Sequence, residues 1–111
     1  MKIYLLLLFT FHHLQADDFN ALIKEYPSSA DSSKINIVVK DNIDIKGTVT
    51  SAGSLALENN IAKENAFLID KLLTNGFHIK GKANLSEWAN FRSTNSISGW
   101  SSINGLSLIH I

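Results

Sequence analysis

The chain contains no cysteine and no excess of either charge, and both absences limit what it can do. Without a thiol, a disulfide scaffold, a thiolate zinc site and a cysteine nucleophile are all excluded. Ten basic side chains balance ten acidic ones, and no run of Lys or Arg forms a face. Attraction to nucleic acid or to an anionic membrane is therefore unsupported. The four histidines lack metal-ligand spacing, so no metal site and no cofactor are predicted.

A hydrophobic run long enough to cross a membrane is also missing. Such a span needs roughly twenty apolar residues, and the run Ile3–Phe11 has about half that. Lys2 precedes the run and Ala16 follows it, which is the layout of a secretory signal peptide over residues 1–16. We expect cleavage after Ala16, a secreted or periplasmic protein, and no stable membrane anchor after cleavage. A buried N-terminal strand or helix is the alternative.

Residues 17–33 are predicted to form an N-terminal helix and a linker. Phe19, Leu22 and Ile23 have the spacing of one helical face, which favours a helix from Asp17 to Tyr26. The chain's single proline and a serine-rich run then follow, and these residues end the helix.

The next segments predict a βαβ unit, whose two strands must be parallel and joined by a right-handed crossover. Ile35–Val39 is a β-branched strand. A helix then starts between Asn60 and Asn65 and runs to about Asn75, where Gly76 ends it. Phe77–Lys80 is a short second strand. Loops are expected over 41–53 and 92–105. Another short helix should start at Asn84, with Asn84 as its cap and with Leu85 and Trp88 facing inward.

Two motifs in this region resemble known sites but lack the context that those sites need. Residues 76–83 have the glycine and lysine spacing of a phosphate-binding loop. Ala83 replaces the required hydroxyl, and the strand lies between the two glycines rather than before them. Asn84–Ser86 is a glycosylation sequon, but helix capping accounts better for Asn84.

Three sequence blocks occur in order and together resemble the amidase signature family. The first is IVVKDNID (37–44), followed by TSAGSLAL (50–57). The second is NAFLIDKLL (65–73), followed by Gly76. The third is GKANLSEWA (81–89), followed by FRS (91–93) and SGWS (98–101). One block such as VVKDN is weak, whereas three in register are specific. The resemblance implies an α/β fold, a mixed sheet flanked by helices. Residues 34–105 would be the N-terminal part of this amidase domain, with one βαβ unit plus the N-terminal helix.

The resemblance also implies an activity: hydrolysis of a carbon–nitrogen bond in a small-molecule or peptide amide by a Ser–cis-Ser–Lys system. In that family the lysine of the VVKDN block, here Lys40, is the base. It takes a proton through a bridging serine, while a second serine attacks the amide carbonyl. An amine or water then accepts the acyl group.

The position of Lys40 agrees with that role. Lysine normally titrates near 10.4, so it accepts a proton only where burial penalises its charged form. Lys40 ends an apolar strand, where its amine can be desolvated, and Asp41 should point to the opposite face. A strand-end lysine that reaches water is the alternative. Neither Lys80 nor Lys82 matches the family's base, so substituting either should be mild.

Other polar side chains of the matching region have no implied catalytic role. Thr50, Ser51 and Ser54 are expected to build the loop near the implied cleft. Ser101 and Ser102 match neither catalytic serine of the family.

Two departures from the family pattern set further expectations. The proline that usually precedes the VVKDN strand is absent from Lys34–Asn36. After Gly105 the family would continue to a Gly/Ser-rich loop that holds both serines, whereas residues 106–111 fit nothing in the pattern and are expected to be a non-family tail. The chain by itself is therefore expected to be an inactive, poorly folded fragment, with Ile35, Ile37, Val39 and Phe77 exposing apolar surface.

Two alternatives remain open. One is a non-catalytic binding module on the same fold. The other is an amidotransferase A-type subunit, which acts in glutaminyl-tRNA formation; the exported leader argues against this cytosolic chemistry.

Overall fold

A computed structural model describes residues 19–91, 94–95 and 97–108, and the predicted leader 1–16 lies outside them. The described residues form a three-stranded mixed sheet with one α-helix, plus a small two-stranded hairpin. In chain order the elements are β1 (Leu22–Glu25), β2 (Ile35–Lys40), α1 (Phe67–Thr74), β3 (Phe77–Ala83), β4 (Trp100–Ser101) and β5 (Gly105–Leu106), with 3-10 turns at Leu55–Leu57 and Glu87–Asn90. No helix of the described part is long and apolar enough to cross a membrane.

The predicted βαβ unit is confirmed as a parallel pair with α1 between its strands. β2 and β3 pair from Ile35 opposite Phe77 to Lys40 opposite Ala83. The core lies between the sheet and α1, where Val39, Ile69 and Ile79 are buried together. α1 is shorter than predicted because its first turn begins only after Ala66, and Gly76 follows its end with φ of +82°. The glycine cap is confirmed.

The helix predicted over 17–26 is wrong for the described residues, since Leu22–Glu25 form β1. β1 pairs antiparallel with β3, which becomes the central strand of the order β1-β3-β2. Three apolar residues at helical spacing are too few to outweigh the backbone hydrogen bonds that an open strand edge offers. The linker that follows is a turn, in which Asp31 accepts hydrogen bonds from the Ser33 amide and hydroxyl. Those bonds lower the pKa of Asp31.

Gly81 permits the close approach of β1 to β3. The register of β2 against β3 shifts just before Gly81, and a Cβ atom at this position would lie 2.4 Å from the Lys24 carbonyl oxygen. Backbone atoms on both sides fix that contact, so little adjustment is available.

Gly81→Ala is expected to destabilise the complete protein by about 1–3 kcal/mol through this overlap. Urea denaturation monitored by circular dichroism gives the change. Gly76→Ala is the comparison, since open space surrounds Gly76 and only its backbone conformation is unfavourable, which costs about 1 kcal/mol. An unchanged unfolding midpoint for Gly81→Ala would refute the close approach.

The sequence predicts that β2 is buried if both of its faces are covered. The described residues cover only the face that packs against α1. Val39 is only 5% exposed because it packs under α1, so the expectation that it exposes apolar surface is wrong. Ile35 and Val38 are 59% and 52% exposed, which confirms the expectation for Ile35. Val38 and Lys40 alternate with Val39 and therefore share the face of β2 that points away from α1. We call this the open face.

The segment after β3 differs from the short capped helix that the sequence predicts. Asn84 is buried, and its side-chain oxygen accepts hydrogen bonds from the Leu85 amide and the Ser101 hydroxyl at 2.9 Å each. It therefore joins β3 to the hairpin instead of capping a helix or carrying a glycan. Leu85 is buried as predicted. Trp88 is 47% exposed, because left-handed backbone at Trp88 and Ala89 turns its side chain outward.

Candidate functional site

Charged side chains meet at the carboxyl ends of β2 and β3. Lys40 is the last residue of β2, Asp41 follows it, and Lys82 is the penultimate residue of β3. Lys40 is exposed on the open face, whereas Asp41 and Lys82 are only 2% and 1% exposed. Adjacent residues at a strand end thus occupy two very different environments.

Asp41 and Lys82 form a buried ion pair. The Lys82 Nζ lies 3.1 Å from Asp41 Oδ1, donates to the Ile43 carbonyl oxygen at 2.7 Å, and donates to Thr50 Oγ1 at 3.4 Å. An ammonium group has three N–H donors, so each of them has an acceptor here. A buried cation requires such complete satisfaction.

Asp41 is held from the other side as well. Its Oδ2 accepts hydrogen bonds from the Ser51 amide at 3.0 Å and from the Ser51 hydroxyl. Its backbone carbonyl accepts from the Ala52 amide, and its own amide donates to the Ala83 carbonyl. Asp41 therefore ties β2, β3 and the following loop together.

The loop-building role predicted for the hydroxyl residues is confirmed. Thr50 and Ser51 are buried against the ion pair, and Ser54 accepts a hydrogen bond from the Ala56 amide at the start of a 3-10 turn. Their hydroxyls thus serve the ion pair and the loop backbone.

Lys40 makes no ion pair and no side-chain hydrogen bond within the described part of the chain. The described residues leave its amine exposed, so the expectation that this amine is desolvated stays a prediction for the complete protein. The expectation that Asp41 points away from Lys40 is confirmed, and Lys82 is the cation that neutralises it.

Sequence reasoning missed Lys82. The carboxyl ends of parallel strands lie at one edge of a sheet, so an acidic residue after β2 and a lysine at the end of β3 could have been paired from the pattern. The expectation that Lys82→Ala is mild rests only on the missing match to the family's base, and the burial of Lys82 adds a consequence for stability. Removing Lys82 leaves the Asp41 carboxylate buried without a counter-charge, which typically costs about 3–5 kcal/mol.

A cleft of about 440 Å³ lies beside the ion pair. Asp41, Ser51 and Lys82 line it, together with Tyr26 and Glu58 among others. Lys40 is not part of its lining, so the cleft and the open face are different surfaces. Across the described residues, no group of three His, Cys, Asp or Glu side chains could hold a metal ion.

Solved structures with this fold include amidases. The native peptide amidase from Stenotrophomonas maltophilia superimposes with a TM-score of 0.70 at 36% identity, covering 80% of this chain and 22% of the other. The A-type subunit of glutamyl-tRNA(Gln) amidotransferase from Thermotoga maritima gives a TM-score of 0.57 at 32% identity, covering 64% and 17%.

Sequence relatives include both kinds of protein. A probable amidase from Arabidopsis thaliana is 41% identical over 60% of this chain and 13% of its own length. An A-type subunit of glutamyl-tRNA(Gln) amidotransferase from Lactiplantibacillus plantarum is 47% identical over 54% of this chain and 12% of its own length. The chain thus spans only about an eighth of these relatives. The family model described as Amidase matches residues 22–105, which includes β1, and the chain belongs to the amidase family.

Proposed function

We propose that the complete protein is an exported carbon–nitrogen hydrolase that cleaves amide bonds, with Lys40 as the base of a Ser–cis-Ser–Lys system. The observation that carries the proposal is the position of Lys40 at the end of β2, in the family's VVKDN block, with its amine free of any partner among the described residues. A base has to have its nitrogen available, and the neighbouring carboxylate is already neutralised by Lys82.

A base needs its neutral form, and covering the open face would favour that form of Lys40. Val38 lies two residues before Lys40 on the same face and is 52% exposed. A further part of the protein that covered this apolar side chain would also exclude water from the Lys40 amine. Water exclusion penalises the charged form of an amine and so favours proton acceptance.

In the proposed reaction, Lys40 takes a proton from the bridging serine, which in turn takes one from the nucleophilic serine. The nucleophile attacks the amide carbonyl, the amine leaves with a proton, and water releases the acid from the acyl-enzyme. Both serines belong to the family pattern beyond Gly105. The part of the reaction that falls to this chain is the movement of the proton to and from the Lys40 nitrogen.

The substrate class that we propose is a small-molecule or peptide amide. The match to the peptide amidase covers more of this chain, at higher identity and TM-score, than the match to the solved amidotransferase structure. The second candidate function is that of an amidotransferase A-type subunit, which the 47% identical relative favours.

The two functions are separated by assaying the protein made from the complete reading frame. We expect ammonia release from C-terminally amidated dipeptides without any partner protein or tRNA. Glutamine-dependent amidation of glutamyl-tRNA, with no hydrolysis of peptide amides, would favour the second function. Absence of both activities in a folded protein would contradict both and favour a binding module.

Export is tested separately, because residues 1–16 lie outside the described part of the chain. N-terminal sequencing of the protein from its native host should begin at or near Asp17, and the protein should be outside the cytosol. A cytosolic chain that retains Met1 would be evidence against export.

A further inference from the structure

The buried Asp41–Lys82 pair has no role in the proton transfers of the proposed function, although it lies next to the residue that performs them. Asp41 is bonded covalently to Lys40, and Lys82 pairs in register with Val39, one residue before Lys40. A buried ion pair is weak evidence for stability, since apolar residues of similar volume often replace such pairs without loss. A role other than stability therefore needs to be considered.

We propose that Lys82 is a positioning residue that fixes the backbone at Lys40 through Asp41 and the turn that follows. This inference rests on the proposed role of Lys40 as the base. It assigns to Lys82 no contact with substrate or with the reacting atoms.

Two contacts of the Lys82 ammonium converge on the turn that begins at Lys40. The Ile43 amide donates to the Lys40 carbonyl at 3.0 Å, which closes a turn over Lys40–Ile43. Lys82 Nζ holds this turn at its second residue through Asp41 Oδ1 and at its last residue through the Ile43 carbonyl oxygen. The turn therefore cannot rotate about the end of β2 without breaking both contacts.

The opposite side of the turn is held by the loop that Lys82 also contacts. Thr50 accepts from Lys82 Nζ, and the next residue, Ser51, donates to Asp41 Oδ2. The direction in which the Lys40 side chain leaves the strand is thus set by a closed set of contacts on the buried side of the sheet. Lys40 itself remains unpaired on the open face among the residues that the structure describes.

Charge balance gives a second reason for Lys82 at this position. With Lys82 present, the Asp41 carboxylate already has a cation at 3.1 Å. Without it, that carboxylate would lie buried with no counter-charge, and the residue that follows Lys40 would no longer be held on this side. Lys82 therefore neutralises Asp41 as well as holding the turn.

The test uses the protein from the complete reading frame and compares kcat, KM and the urea midpoint of matched variants. Lys82→Met alone leaves a buried carboxylate unpaired and is expected to unfold easily. The double variant Asp41→Asn/Lys82→Met removes both charges, keeps an oxygen for the Ser51 amide, and should recover most of the stability. Lys80→Met is the matched control on the same strand, because Lys80 pairs with the exposed Glu25.

For the double variant we expect kcat to fall about 100-fold with KM changed by less than about threefold, since a base displaced by an ångström loses roughly that much. Lys80→Met should keep the wild-type kcat. A double variant with wild-type kcat, or one in which only KM rises, would overturn the positioning role.

If the double variant does not fold, Lys82→Arg tests the positioning role instead, because arginine keeps the positive charge but places its N–H donors differently. A kcat about tenfold lower at unchanged KM supports the proposal, and a wild-type kcat overturns it.

Lys40→Ala in the same series separates the two proposals. An inactive Lys40→Ala protein together with normal Lys82 variants refutes the positioning role alone. A Lys40→Ala protein with normal turnover refutes the proposed base, whatever the Lys82 variants show.

Discussion

Replacing Lys40 with alanine in the complete protein is expected to lower kcat by at least about 10³-fold while leaving the fold intact. Members of a catalytic unit act together, so removing the base disables the serines as well. The fold should survive because Lys40 makes no side-chain hydrogen bond or ion pair among the described residues. The substitution breaks no described contact, so we expect the free energy of unfolding to fall by about 1 kcal/mol or less.

Lys34→Ala is the matched control for this variant. Lys34 is an exposed lysine immediately before β2, as Lys40 is an exposed lysine at its end. Its replacement should leave kcat, KM and the unfolding midpoint unchanged. Comparable turnover of the Lys40→Ala and Lys34→Ala proteins would show that Lys40 is not the base.

Residues 17–111 by themselves are expected to hydrolyse no amide and to show no cooperative unfolding as a soluble monomer. With the proposed mechanism their chemistry would be incomplete, because a lysine base without a bridging serine, a nucleophile and oxyanion donors has nothing to activate. The match to the solved peptide amidase accounts for only 22% of that enzyme, so most of its fold has no counterpart here.

The open face explains why folding should also fail. Val38 exposes apolar surface on this face, and Ile35 does so at the start of β2. The outer edge of β2 has no strand partner among the described residues, and such an edge promotes association between chains. The buried apolar cluster of the sheet and α1 contains Val39, Ile69 and Ile79. So small a core does not offset an ordering cost of about 1–2 kcal/mol per residue.

A urea titration followed by circular dichroism, run beside an ammonia-release assay, tests this second prediction. Size-exclusion chromatography establishes whether the sample is monomeric. A cooperative transition from a soluble monomer would contradict the folding part. Turnover that disappears in the Lys40→Ala version of residues 17–111 would contradict the chemical part.

The sequence predicted the elements whose signals are local. The β-branched run of β2, the helical stripe of α1 and the glycine after it all report on neighbouring residues, and each was confirmed. Leu85 was likewise placed correctly in the interior.

The sequence did not predict what depends on pairing between distant segments. Leu22–Glu25 becomes a strand because β3 offers it an edge, and nothing in its own spacing indicates that partner. The sequence predicts a local helix cap at Asn84, whereas its side-chain oxygen accepts a hydrogen bond from the Ser101 hydroxyl on the hairpin. The burial of Lys82 depends on the register shift before Gly81 and on a loop that returns to Asp41, both of which are tertiary features.

On the proposed mechanism, residues 22–105 supply the base of an amide hydrolase. The most direct test transplants these residues into the Stenotrophomonas maltophilia peptide amidase in place of its own corresponding segment, with which the chain superimposes. We expect the hybrid to release ammonia from peptide amides, and its Lys40→Ala version to lose at least about 10³-fold in kcat at an unchanged unfolding midpoint. Equal turnover of the two hybrids would contradict the account.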